Sequence, residues 1–539
     1  MKTILTQEAC KANDLYTVLN QSITEEDLIQ RAAQAVLDTL KADGYNLQSP
    51  CILCGSGNNG ADGFMLACLL KKEGVNVTVL YLGALIAPPA PPKKGQPAKQ
   101  ETSHFDASLI GTPNTEQMSA QCLLHYKKAL SANVTVLTAL PENAFAEEAA
   151  MYSVFVDAVY GTGMHGAITD QNVCNTFDLI NQSSIPVVAV DIPSGVHCDT
   201  GALDAHAVCA AQTVTMQDVK AGLLLYPATE YAGKITVADI GIESEPSYRE
   251  TAVLTLEDDD IDALLPARPT RSNKGTFGRV LVIGGGSGMA GAAYLAAMAA
   301  YRAGAGIVEI LTPAKNRTIL QQLLPEAVLT CYTDKSKLKK AIKVSLCRAD
   351  AIVIGCGIGR SKLSDYCVKY TLKKAKVPLV IDADALNVIA QKPAYLKHVN
   401  KKQKPQTIIT PHPKEAAGLL GKKSGVDQVL SDITTSAQQL CDKYQVNVLL
   451  KDARTLICSQ DKKIRYINLS GSTALATAGT GDILAGYIGG LCAAKTSEQP
   501  IATTAALAAY LHGKAGETAE QKVGARAAMA RDILDGLTE

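Results

Sequence analysis

The chain of 539 residues contains no tryptophan, and aromatics of all kinds make up only 5 % of it. Surfaces that stack sugars or unpaired bases are built from such rings, so neither carbohydrate nor single-stranded nucleic acid is an expected ligand. Net charge is also lacking: 52 Lys+Arg face 52 Asp+Glu. A protein that binds nucleic acid by neutralising phosphates needs a basic surplus. Membrane-length apolar runs are missing too. The N-terminus MKTILTQEAC has no apolar core of a signal peptide. The stretch from Ala290 to Leu311 is interrupted by Arg302, Glu309, Gly304 and Gly306, and it reads as a buried helix followed by a strand. No G-x-x-x-x-G-K-[ST] occurs, so this is not a P-loop NTPase. The 15 cysteines are odd in number and scattered. That pattern suits a reducing compartment, hence the cytoplasm. Cys51 and Cys54 form a CxxC without a second pair and read as buried thiols rather than zinc ligands.

What the chain does have is apolar residues, 47 % of the total, with 19 % charged and 42 glycines. That is enough for large cores and far from a disordered composition. Two segments stand apart. Residues 87–100 (APPAPPKKGQPAKQ) are rich in Pro and Lys and are expected to form a mobile loop. Residues 241–260 include ESEPSYRE and EDDD; the acidic run reads as a solvated helix start. The domain boundary falls near residue 245, giving domains 1–244 and 250–539.

Both halves alternate short β-rich runs with helical stretches. The runs are Pro50–Cys54, Val75–Leu82, Val134–Thr138, Ser153–Asp157 and Val187–Asp191 in the first half. In the second they include Arg279–Ile283, Ile307–Leu311, Ala351–Ile354, Pro378–Ile381, Thr407–Ile409 and Val446–Leu450. Near-continuous Val/Ile/Leu runs fit parallel strands covered on both faces, and the alternation implies βαβ units. Ligands of such sheets sit beyond the carboxyl ends of the strands, where most of the glycine clusters fall.

G-x-G-x-x-G occurs at Gly55-Gly57-Gly60, Gly161-Gly163-Gly166 and Gly286-Gly288-Gly291. A dinucleotide dehydrogenase also needs an acid at the end of the next strand. The strand after the first loop ends Val79-Leu80-Tyr81-Leu82, without one; after the second, Asp191 fits on spacing, and after the third, Glu309 lies within the strand, so a conventional NAD-dependent dehydrogenase stays open but is not favoured. The first loop, Gly57-Asn58-Asn59-Gly60-Ala61-Asp62-Gly63, offers backbone amides for a phosphate and hard oxygens for a cation. It also reads as a tight turn with Asp62 capping the helix. Asp157 precedes Gly161-Thr162-Gly163, and Asp191 opens DIPSG with Ser194 three residues on. Polar clusters at three strand ends of one sheet converge on one pocket mouth.

In the second half, Gly355-Cys356-Gly357-Ile358-Gly359 follows AIVI, Asp382-Ala383-Asp384-Ala385-Leu386-Asn387 follows PLVI, and Thr410-Pro411-His412-Pro413-Lys414-Glu415 follows TII. Lys451 and Thr455 bracket a hairpin turn. Ala478-Gly479-Thr480-Gly481-Asp482 opens a helix. A glycine turn at a helix start points amides at an anion, and a neighbouring carboxylate serves as general base toward a hydroxyl beside it. Phosphoryl transfer needs that pairing.

GNNGADG, VDAVYGTG and VDIPSG together resemble the NAD(P)H-hydrate epimerase domain over residues 1 to about 242. NKGTFGRVLVIGG, GCGIG, DADALN, TPHPKE and TAGTGDILAG resemble the ADP/ATP-dependent NAD(P)H-hydrate dehydratase over about 250–539. The resemblance implies an α/β protein of two αβα sandwiches, the first Rossmann-like and the second ribokinase-like. It implies nicotinamide nucleotide repair: interconversion of the R and S epimers of hydrated NAD(P)H, then dehydration of the S form at the expense of ADP. By the same resemblance Asn58, Asn59, Gly60, Ala61, Asp62, Gly161, Thr162, Gly163, Met164, His165, Gly166, Ala167 and Asp191 contact the hydrate in the first domain. Asn59, Asp157 and Ser194 ligate potassium there. Ala293, Gly359, His412 and Asp482 contact the hydrate in the second domain, and Lys451, Asp452, Ala453, Arg454, Thr455 and Gly481 the nucleotide, with magnesium as its cofactor. Asp191 and Asp482 are the catalytic residues. The implied partners are small-molecule substrates and further copies of the chain, with no nucleic acid and no membrane. The chain departs from the family pattern at Ala61, Lys414 and Asp452, each standing for a glycine, at Gly471-Ser472-Thr473-Ala474-Leu475, and in the 87–100 insertion. A small-molecule kinase that keeps its phosphoproduct and a non-catalytic nucleotide sensor are the alternative readings.

Overall fold

A computed structural model describes residues 1–86, 112–138, 151–249, 252–421, 424–461, 463–494 and 499–537. The 87–100 insertion lies outside the described residues. The chain divides into two compact units, Thr3–Ala252 and Val253–Glu539, the latter joined by Met1–Lys2.

The first unit is built on a seven-stranded parallel sheet. Its order is Lys234–Ala238, Gln212–Met216, Val187–Val190, Val154–Ala158, Pro50–Cys54, Thr78–Tyr81, Thr135–Leu137. Every residue of Pro50–Cys54 is buried, because side chains alternate between two covered faces. Ile52 and Cys54 join one apolar cluster, Cys51 and Leu53 the other. The chain winds outward from Pro50–Cys54 to Thr78–Tyr81 and Thr135–Leu137, then returns to Val154–Ala158 on the opposite side. The winding direction reverses between Pro50–Cys54 and Val154–Ala158, which opens a crevice beyond their carboxyl ends.

The second unit repeats this logic on a larger sheet. Its strands run Val253–Thr255, Ile464–Asn468, Thr455–Cys458, Asn447–Leu450, Thr407–Ile409, Leu379–Ile381, Ala351–Ile354, Arg279–Ile283, Ile307–Pro313, Val328–Tyr332. Among these ten strands Thr455–Cys458 pairs antiparallel on both its sides, and the other pairs are parallel. Here the reversal lies between Arg279–Ile283 and Ala351–Ile354, so Gly284–Gly288 and Gly355–Gly359 face each other there.

The Ala290–Leu311 stretch forms the helix Ala290–Arg302 and the strand Ile307–Pro313, as its interruptions predict. Its small residues are consumed inside the unit. A Cβ on Gly486 of the helix Thr480–Ala493 would lie 2.0 Å from the Ala296 carbonyl oxygen, and one on Gly490 2.6 Å from that of Ala300. EDDD forms a 3-10 turn, Asp258–Asp260, leading into the helix Ile261–Leu264.

Several predicted runs are trimmed: Val75–Leu82 contributes Thr78–Tyr81, and Val134–Thr138 contributes Thr135–Leu137. Gln212–Met216 and Val328–Tyr332 are strands that the apolar pattern does not show. QTVTM is buried throughout despite three polar side chains, which find partners inside: Thr213 Oγ1 donates to the Ala232 carbonyl at 2.7 Å. Among the described residues no helix is long and apolar enough to cross a membrane. All 15 cysteines are free, and Cys51 and Cys54 are fully buried.

Candidate active sites

In the first unit a cavity of about 650 Å³ opens at the sheet reversal. Its walls come from Ser56–Asn59 and Asp62, from Val159–Met164, from Asp191 and Lys220, and from the helices Gln7–Asn20 and Glu25–Ala42.

Asn59, Asp157 and Ser194 meet around the backbone of Val159 and Tyr160. Asn59 Nδ2 donates to the Tyr160 carbonyl at 3.1 Å, and the Tyr160 N–H donates to Ser194 Oγ at 2.8 Å. Ser194 gives both its hydroxyl (2.6 Å) and its N–H (2.7 Å) to the Asp157 carboxylate, which also accepts the Val159 N–H at 3.2 Å. Asp157 is wholly buried. Desolvation pushes its carboxyl up to about 6, against the pull of these hydrogen bonds. A buried carboxylate whose donors are all neutral, ringed by side-chain and carbonyl oxygens, suits a weakly hydrated monovalent cation. The residues present therefore fit potassium.

Asp191 sits with φ +67°, a left-handed conformation that costs a non-glycine residue free energy and collects at functional sites. The bend turns its carboxylate to the buried Lys220, whose ammonium donates to Asp191 Oδ1 at 2.5 Å and to the Met216 carbonyl at 2.7 Å. Burial works against the charge on Lys220, but Asp191 together with the Cys10 and Cys198 thiols outweighs it, and the ammonium is held above its usual pKa. Two further carboxyls line the cavity. Asp14 is raised to about 6 by desolvation and then by the Asp191 charge, and Asp62 is driven well above the carboxylate range by the same causes.

The remaining residues of the first domain separate by position. Gly161–Met164 line the cavity; His165, Gly166 and Ala167 lie on the exposed side of that turn, outside its wall. Gly60 and Ala61 sit behind the cavity: a Cβ on Gly60 would strike the Gly55 carbonyl at 2.1 Å, and Ala61 is fully buried. Ala61 lies inside the helix Asn58–Lys72 at negative φ, so its methyl causes no backbone strain. Lys414 and Asp452 likewise keep negative φ.

The second site gathers charge from five strand ends or helix starts. Lys451 Nζ and Thr410 Oγ1 each donate to Asp382 Oδ1 at 2.8 Å. Ala383, at φ +49°, splays the flanking acids, and Asp384 accepts the Gly359 N–H at 2.9 Å. Gly479, at φ +100°, turns the chain into the helix Thr480–Ala493, whose first turn carries Asp482. Ligand atoms of Asp482, Asp382 and Cys356 lie within 4.8 Å of one another. Desolvation and the Asp382 charge raise the Asp482 carboxyl to about 7, opposed by a hydrogen bond from Cys356 and by Lys451. A Cβ on Gly481 would stand 3.3 Å from Lys451 Nζ, so the helix N-terminus and the ammonium face the same point.

His412 caps the helix Pro413–Leu420: its Nδ1 accepts the Lys414 and Glu415 N–H groups, and Glu415 accepts the His412 N–H at 3.0 Å. Burial raises Glu415 to about 7 and lowers His412. Lys451 to Arg454 form the turn between Asn447–Leu450 and Thr455–Cys458. Arg454 donates to the Leu469 carbonyl at 3.0 Å, and Thr455 Oγ1 to that of Asp452 at 3.4 Å; Ala453 is exposed. Ala293 is fully buried, 3.0 Å from where a Cβ on Gly285 would be, so it offers no side chain to a ligand. Four carboxylates (Asp382, Asp384, Glu415, Asp482) around one ammonium suit a divalent cation arriving with substrate phosphates.

Sequence reasoning named neither Lys220 nor any role for Asp382, Asp384, Glu415 and Cys356. The acids stand in quoted motifs, but their partner Lys451 is 69 residues from Asp382. Lys220 follows the strand Gln212–Met216, whose polar composition hid it.

A doubly wound unit with an oxygen-lined cavity, followed by a unit that aims a helix N-terminus, a lysine and a buried carboxylate at one point, defines a two-unit α/β enzyme acting on phosphorylated small molecules. A family model described as NAD(P)H-hydrate dehydratase matches residues 280–539, and one described as YjeF-related protein N-terminus matches 25–222. The bifunctional NAD(P)H-hydrate repair enzyme Nnr of Moorella thermoacetica is 34 % identical, over 90 % of this chain and 86 % of its own. That of Coxiella burnetii is 33 % identical, over 96 % and 95 %. Among solved structures, an ADP/ATP-dependent NAD(P)H-hydrate dehydratase from Bacillus subtilis, co-crystallised with ATP/Mg2+, is 30 % identical with a TM-score of 0.45, covering 53 % of this chain and 96 % of its own. The chain belongs to the family of bifunctional NAD(P)H-hydrate repair enzymes: its first half is a doubly wound α/β epimerase domain, its second an α/β dehydratase domain.

Proposed function

We propose that the first unit interconverts the R and S epimers of hydrated NADH and NADPH, and that the second converts the S epimer back to NAD(P)H while ADP becomes AMP and phosphate. The observation that carries the second activity is the placement of Asp482. It sits in the first turn of a helix whose start also faces Lys451 and Asp382.

The hydrate loses water poorly because hydroxide is a weak leaving group. Asp482 takes the hydroxyl proton as that oxygen receives the phosphoryl group, while the N–H groups at the start of the Thr480–Ala493 helix and the Lys451 ammonium hold the transferring charge. Phosphate then leaves and the ring double bond is restored. Asp384 and Glu415 would hold magnesium, which neutralises charge on the nucleotide phosphates when bound. Gly359 and His412 border the hydrate, and the Lys451–Thr455 turn and Gly481 the nucleotide. In the first unit Asn58, Asn59, Asp62, the Gly161–Met164 turn and Asp191 would contact the hydrate. Asn59, Asp157 and Ser194 would hold potassium, which compensates the buried Asp157 charge. Fifteen free cysteines suit a cytoplasmic setting.

A coupled assay tests this reading: mixed hydrate epimers with ADP or ATP, with and without potassium. Complete conversion to NAD(P)H, with phosphate released in equal amount, is the expected result. Consumption stopping at the S fraction removes the epimerase assignment, and a stable phosphorylated product would make the second unit a kinase.

A further inference from the structure

The cavity of the first unit holds three carboxyls, Asp14, Asp62 and Asp191, and one ammonium, Lys220. They cannot all carry charge at close quarters in a desolvated pocket, so at least one carboxyl keeps its proton at neutral pH. The structure shows which acid is which. Asp191 has the ammonium of Lys220, itself 3 % exposed, at 2.5 Å. Among the described residues Asp62 makes no ion pair: the charges that act on it are those of Asp191 and Asp14. The cavity wall thus carries one carboxylate paired with an ammonium, at Asp191, and at Asp62 a second carboxyl whose burial and acidic neighbours favour its protonated form. Such a divergent pair marks the acid and base of a proton relay.

The substrate chemistry says what the pair is for. Water adds across the enamine of a dihydronicotinamide at the carbon bonded to the ring nitrogen, so the hydroxyl-bearing carbon is a hemiaminal. Its configuration inverts readily if the carbon–nitrogen bond opens and recloses. We propose that the first unit epimerises by ring opening, with Asp191 as base, Asp62 as acid and Lys220 as the positioning residue that fixes Asp191. This inference rests on reading the unit as the epimerase. Asp191 removes the hydroxyl proton and the O–H electron pair becomes the second bond of an aldehyde. The C–N bond breaks, its electrons pass to the ring nitrogen, and Asp62 supplies that nitrogen with a proton. Rotation about the bond to the aldehyde carbon presents its other face. The nitrogen then attacks, Asp62 recovers its proton, and Asp191 returns one to the oxygen. No oxidant, water or net proton is consumed.

The full-length chain with hydrated NADH in H2(18)O and potassium tests this. The inverted epimer is expected to keep its original oxygen at early times, and hydroxylamine added during turnover is expected to trap an open-chain oxime. Incorporation of one solvent oxygen per inversion would overturn ring opening in favour of loss and return of water. Asp62→Asn is expected to slow inversion by about 10²–10⁴-fold, the usual worth of a positioned acid, with little change in KM. It should also abolish the fall in rate at high pH that marks loss of the Asp62 proton; Asp62→Glu should restore part of both. Asp62→Asn within threefold of the parent rate, with its high-pH limb intact, would overturn the acid assignment. Lys220→Met should lower kcat with little change in KM, with Lys220→Arg recovering part. Asp191→Asn that still epimerises at the parent rate would instead overturn the reading of the site itself. Should Asp62→Asn fail to fold, a missing potassium-dependent thermal shift would reveal it, and the oxygen-retention experiment on the parent chain decides alone.

Discussion

Asp482 carries opposite demands. As a base it must be ionised, and as a group raised to about 7 by burial and by Asp382 it resists ionising. Dehydration is therefore expected to fall about tenfold per pH unit below 7 and to level off above it, measured as kcat/KM for the S epimer. The linkage has the other sign for stability. A carboxyl raised in the folded state stabilises it below the unfolded pKa and loses that contribution as pH rises through 7. Asp482→Asn should abolish turnover by about 10²–10⁴-fold while raising the melting temperature more at pH 8 than at pH 5. A variant whose melting point rises equally at both values would remove desolvation as the cause. Asp157, raised to about 6 without a cationic partner, leads to a separate expectation. Replacing potassium by a large organic cation should weaken epimerisation and leave S-epimer dehydration intact.

Elements explain why the glycine loops read so ambiguously in the sequence. Gly60 admits the Gly55 carbonyl, and Gly486 admits that of Ala296; both serve chain packing, although one lies in a ligand motif and the other does not. Gly486→Ala would force the helices Ala290–Arg302 and Thr480–Ala493 apart. It is expected to cost about 1–3 kcal/mol by overpacking, read as a lower denaturation midpoint with an unchanged slope. The strand ends were legible because parallel strands covered on both faces must be apolar throughout: Pro50–Cys54, Arg279–Ile283, Ala351–Ile354 and Thr407–Ile409 have the bounds that their composition predicts. Gln212–Met216 was not legible, since its threonines and glutamine are satisfied by partners far along the chain. With that strand hidden, Lys220 at its end was hidden too.

At the scale of the molecule, the two units have separate cores and separate sites. Calorimetry is expected to resolve two unfolding transitions. ADP at about a hundredfold over its dissociation constant should stabilise only the second unit, by about 2.7 kcal/mol; a shift of both transitions would show that the units unfold as one.

The order of motifs along the chain determined the class of fold, the two-part organisation and the family, because parallel βαβ winding places whatever follows each apolar run at the same end of the sheet. It could not determine which charges neutralise one another. The Lys220–Asp191 and Lys451–Asp382 pairs join residues 29 and 69 positions apart. Whether a carboxyl holds or gives up its proton depends on its burial and its nearest charges, and those exist only once the sheet has closed and its helices have covered it.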